Sequence, residues 1–102
     1  MKVLDLTALK AYPYEERQRN VLFQAPEFKV RLIEIPPGGS MPECKMSAYV
    51  VFYAMEGEAY VRVDEEGVTL RAGHCLITEP ATITMQTTHG VRLVAIQVAK
   101  NQ

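Results

Sequence analysis

This 102-residue sequence has no tryptophan, no cluster of basic residues and no unbroken apolar run near the ~20 residues that a membrane-spanning helix needs. Its formal net charge is −1. Such a balance gives no broad attraction for nucleic acid or an anionic membrane, so neither is expected as a partner. Cysteine is scarce: Cys44 and Cys75 are the only two. Two cysteines make no disulfide framework, and free thiols are expected. The opening "MKVLDLTALKAYPYEERQ" carries Asp5 after only four residues and more charge soon afterwards. It reads as no signal peptide, and a cytoplasmic protein is expected. The glycines of "PPGGS" precede a strand rather than a helix, which excludes a phosphate-binding loop. The carboxylates of "DEEG" suit a solvated hairpin tip better than acid–base chemistry.

What is present is β-structure. The hydrophobic fraction of 48% and charged fraction of 23% are those of an ordinary globular chain, and the length fits one domain over 1–102 with a modest core. Strand-like runs are "NVLFQ" (20–24), "EFKVRLIEI" (27–35), "AYVVFYAM" (48–55), "AYVRV" (59–63), "GVTLR" (67–71), "HCLIT" (74–78), "TITMQ" (82–86) and "VRLVAIQVA" (91–99). "PPGGS", "EGE", "DEEG", "AG", "EPA" and "THG" separate them. Only "DLTALKAY" and "PYEERQRN" have helical character, and both are short. Strands recurring every eight to twelve residues or so predict an all-β sandwich or barrel.

The order of proline-glycine turn, polar stretch, apolar strand, "EGE", hairpin, "AGH" and proline turn resembles the single-domain cupins, over roughly Val30 to Val98. That resemblance implies a single cupin-like β-barrel of the jelly-roll type. In the first cupin motif Gly38 and Gly57 supply the glycines, Cys44 and Met46 fall on the two histidine positions, and Val50 falls on the glutamate. In the second, Gly73 supplies the glycine, Pro80 the proline one residue late, and Thr82 replaces the next glycine. Met85 falls on the third histidine and His89 on the asparagine. The usual set of three imidazoles and a carboxylate, which suits Fe, Mn, Ni or Zn, is thus replaced.

Alternation along a strand puts Cys44 and Met46 on the same face as Ala48, Val50, Phe52 and Ala54, and the cupin frame turns that face into the barrel. Met85 would approach from a facing strand. Two readings stay open. Thiolate and thioether ligands select Cu(I), so Cys44, Met46 and Met85 make a soft metal site, with His89 as a fourth candidate ligand. Alternatively, methionine and cysteine fill an abandoned pocket as soft apolar groups, or line one for a small molecule. Met41 is a further candidate sulfur, expected to pack under the turn. His74 reads as a turn residue, and Cys75 as a buried, inert thiol. The functional expectation is a non-standard cupin that binds a small molecule or a soft ion such as Cu(I) without the usual metal-dependent catalysis. The alternative is a metal-dependent enzyme of oxygenase or isomerase type with an atypical ligand set. Tyr49, Val51, Tyr53 and Met55 form a second apolar stripe on the opposite face, which predicts a homodimer, as small cupins commonly pair through such a sheet. "KVLDL" is a candidate edge strand for the neighbouring subunit.

Overall fold

The computed structural model describes residues 1–99, and eight strands build that part of the chain. They are β1 (Val21–Gln24), β2 (Phe28–Ile35), β3 (Ser40–Met46), β4 (Val50–Val63), β5 (Glu66–Arg71), β6 (Cys75–Thr78), β7 (Ala81–Gln86) and β8 (Val91–Val98). All the strand pairs among the described residues are antiparallel. The 14-residue β4 organises the rest. Its first half pairs with β8 and β6, and its second half with β7 and β5. Sheet A therefore runs β1-β2-β8-β4-β6, and sheet B runs β3-β7-β4-β5. The two share β4 and curl into the expected all-β barrel.

Between them lies one core. Ile33 and Ile35 of β2, Phe52, Ala54 and Val61 of β4, Ile83 and Met85 of β7, and Leu93 of β8 belong to a single buried cluster. These are the alternate residues of each strand, as a half-buried pleat requires. "EGE" does not separate two strands, because β4 runs through it. The chain bulges there, with a register shift between Ala54 and Glu56 and Gly57 at φ +73°. The bulge exchanges the parity of the inward face, from Val50, Phe52 and Ala54 before it to Ala59 and Val61 after it. By contrast, the proline-glycine turn forms as expected. Gly39 N–H donates to the Pro36 carbonyl at 2.9 Å, with Gly38 at φ +77°. Proline followed by a positive-φ glycine is the signature of a type II turn.

Two features were not expected. The first is β3, whose polar, proline-containing "SMPECKM" has weak strand character. Proline is tolerated there because β3 is the end strand of sheet B, with β7 on one side only. The second is the N-terminal segment. "KVLDL" forms no strand and "DLTALKAY" only a turn near Leu6–Ala8, while "PYEERQRN" yields a 3-10 helix over Tyr14–Asn20. Residues before that helix form a strap over the outer face of sheet A. The guanidinium of Arg92 pairs with Glu34 at 2.8 Å and donates to the carbonyls of Leu6 and Leu9. Asn20 fixes the other end, using both amide atoms on the backbone of Tyr12. No helix among the described residues is long and apolar enough to cross a membrane.

Candidate functional site

The inner surface of the β3–β7 pair carries four of the sequence's seven sulfur side chains. Cys44 lies opposite Ile83, Met46 opposite Ala81, and Met41 opposite Met85. A register shift between Met41 and Cys44 absorbs Pro42 and Glu43, which are exposed. Without that bulge, Met41 and Cys44 would point to opposite faces, because they are an odd number of residues apart. With it, Met41, Cys44 and Met46 all face the core. Glu43 and Lys45 lie on the solvent side. The result is two sulfur pairs at different depths. Cys44 Sγ and Met46 Sδ are 3.3 Å apart and half-buried. Met41 and Met85, cross-strand partners, are buried at 8% and 2% exposure.

Of the expected ligands, then, the structure brings Cys44 and Met46 into contact. Met85 shares their face one step deeper, with Met41 rather than Cys44 directly across from it. The deeper pairing is legible only with the bulge in hand, so the sequence points to Met85 and leaves Met41 under the turn. His89 sits in the exposed β7–β8 connection, beyond the Gln86 end of β7, whereas Met46 lies at the Ala81 end. It is thus not placed beside Cys44 and Met46. Val50 does face the core, at 1% exposure, and offers no donor atom. His74 is an exposed turn residue, its Nδ1 accepting from the Arg71 amide at 3.4 Å. Cys75 is exposed rather than buried, because its register opposite Tyr53 puts it on the outer face of sheet A.

This donor set does not fit the metals that the cupin resemblance implies. Among the described residues no three histidine, cysteine or acidic side chains converge. The three imidazoles and one carboxylate that would hold Fe, Mn, Ni or Zn are therefore not assembled on this face. Thiol and thioether sulfur are what the inner face provides.

The architecture is the double-stranded β-helix, so the chain has the cupin fold. A cupin superfamily protein of Desulfitobacterium hafniense superposes with a TM-score of 0.73 at 16% identity, over 78% of this chain and 74% of that one. A double-stranded β-helix protein of Klebsiella pneumoniae reaches 0.85 at 15% identity, over 99% and 92%. A protein from Thermus thermophilus reaches 0.83 at 25% identity, over 99% and 100%. No family model matches the sequence, and no curated protein matches it either.

Proposed function

We propose that this cupin-fold protein binds a soft monovalent ion, Cu(I), through Cys44 and Met46 at the edge of the barrel core. The observation that supports this reading is the 3.3 Å contact between Cys44 Sγ and Met46 Sδ. With metal–sulfur bonds of ~2.3 Å, two sulfurs so spaced subtend roughly 90° at a shared ion. Their partial exposure leaves an approach from solvent, and Met41 and Met85 are the next donors along the same face. An ion also needs less room than a molecule. Ala54, Val61, Ile83 and Leu93 have no exposure at all, so the interior is filled, which weighs against a small molecule inside the barrel. An oxygenase or isomerase activity has less support, because such chemistry draws on imidazole and carboxylate ligands that this face lacks. The test is an anaerobic Cu(I) titration against a competing chelator. Stoichiometric binding that is lost in both Cys44→Ala and Met46→Leu supports the reading. Equal binding by wild type and both variants defeats it.

The homodimer is part of the same proposal, with the outer face of sheet A as its interface. Three apolar rows, all at least partly exposed, support it: Phe28 and Val98; Val30, Ile96, Val51 and Ile77; Tyr53 and Cys75. Ile77 is 67% exposed and Tyr53 43%, a large cost to leave in water. Sedimentation should give a dimer for the wild type and a monomer for Ile77→Glu. A monomeric wild type removes the proposal.

A further inference from the structure

A second site follows from where the barrel fails to close. The two ends of the strand path are β1 and β3. β1 pairs with β2 only over Lys29–Arg31, so the edge of β2 from Leu32 to Ile35 has no strand beside it. The 3-10 helix covers this seam instead. Between the helix, β2 and the start of β3 lies a cavity of about 260 Å³. Its inner wall is apolar and belongs to the core: Ile33, Ile35 and Met41. Its rim is cationic and aromatic, with Arg31, Arg17, Tyr12 and Tyr14.

Arg31 is the unusual residue. It pairs with Ala95, a member of the buried core, so register puts it on the inward side of β2. An inward-facing guanidinium normally meets a carboxylate, because burial penalises an uncompensated charge. Among the described residues Arg31 has no ion pair and no hydrogen bond from its side chain. The acids on the same cavity do not supply one. Glu34 is held by Arg92 at 2.8 Å, and Glu15, in the first turn of the helix, is exposed and makes no ion pair. Arg17 likewise lacks a carboxylate: its guanidinium lies over the Tyr14 ring at 4.3 Å and donates to the Tyr14 carbonyl at 3.1 Å. The seam therefore offers two guanidiniums against one unengaged carboxylate. It also has a pre-formed wall, since Asn20 ties the Tyr12 backbone in place.

We propose that this seam is a binding site for a small carboxylate with a compact apolar body. The carboxylate would lie between Arg31 and Arg17, where planar guanidinium groups bind it bidentately. The body would rest on Ile33, Ile35 and Met41. The cavity is smaller than the ~300–1,000 Å³ typical of sites for drug-sized molecules, which restricts the ligand to the size of a benzoate. This site does not depend on the sulfur reading, and its test involves no metal.

The test is a titration of isotope-labelled protein with sodium benzoate, with benzamide as a neutral isostere and inorganic phosphate as a bare anion. Saturable amide shifts at Tyr12, Arg31–Ile35 and Gly39–Met41 with benzoate are expected. Losing one charge-assisted pair should weaken binding by about tenfold in Arg31→Gln and in Arg17→Gln. Arg17 lies on the exposed helix, so its variant carries the test even where the Arg31 change disturbs folding. Absence of saturable shifts at the seam overturns the proposal. So does benzamide or phosphate binding as tightly as benzoate, or unchanged affinity in the Arg17→Gln protein.

Discussion

Gly57→Ala should destabilise the protein far more than Gly38→Ala, although the two glycines have nearly the same backbone conformation. Gly57 has φ +73° and Gly38 φ +77°. An L-residue held in that region costs about 1–2 kcal/mol, and that term is common to both. What differs is the surroundings. Nothing lies within 4 Å of a Cβ built on Gly38, whereas one on Gly57 would overlap the backbone carbonyl of Gly90. That carbonyl cannot simply withdraw, because it accepts the Glu58 amide at 3.3 Å. Forcing the extra carbon in adds the overpacking cost of about 1–3 kcal/mol. The Gly57 variant should thus lose roughly 2–5 kcal/mol and the Gly38 variant about 1–2 kcal/mol. Urea denaturation followed by circular dichroism reads the difference. With a slope of about 2 kcal/mol per molar, the middle of the range for a small domain, the Gly57 midpoint should fall by roughly 1–2.5 M. Equal midpoints for the two variants would refute the argument, since they would mean that the approach of β4 to the β7–β8 connection is not as close as described. The point bears on the site, because this bulge is what lets one strand serve both sheets.

Other expectations follow from the same contacts. Met85→Ala removes a side chain buried to 2% exposure and should cost about 2–5 kcal/mol, with the half-buried Met46→Ala well below it, both measured by chemical denaturation. Arg92→Met strips the Leu6 and Leu9 carbonyls and Glu34 of their donor. A loss of about 1.5–3 kcal/mol is expected, with amide exchange accelerating first in residues 1–12. Thr7 donates its hydroxyl, and then its amide, to Asp5 and holds that carboxyl below its ordinary value. A depressed carboxylate contributes above its unfolded pKa and loses that contribution as pH falls through its folded one. The Thr7 amide resonance should therefore move at a pH below the usual aspartate range, and not at all in Asp5→Asn.

Much of the fold is legible in the sequence because its punctuation is local. The type II turn at Pro37-Gly38 and the strands after it depend on residues a few positions apart, and the alternation of Val50, Phe52 and Ala54 marks an inward face unaided. Two of the errors share a cause. "EGE" reads as a break between strands and Met41 falls outside the cluster because each depends on a bulge, where one strand carries extra residues relative to its partner. A bulge is a relation between two strands, and single-strand periodicity does not contain it. The candidate site divides in the same way. Cys44 and Met46, two residues apart on one strand, are in contact as their spacing implies. Met85 and His89 come from a motif alignment across distant segments; one shares the face a step deeper and the other lies in a far connection. The seam cavity has no signal in sequence, since Arg31 becomes inward-facing only through its register with Ala95.

The most direct test of the central claim is the stoichiometry of Cu(I) bound anaerobically in competition with a chelator, by wild type and by Cys44→Ala. Each wild-type chain should hold one ion and the variant none at the same chelator concentration. A wild-type protein that yields all its Cu(I) to the chelator, or a variant that holds as much as the wild type, would contradict it.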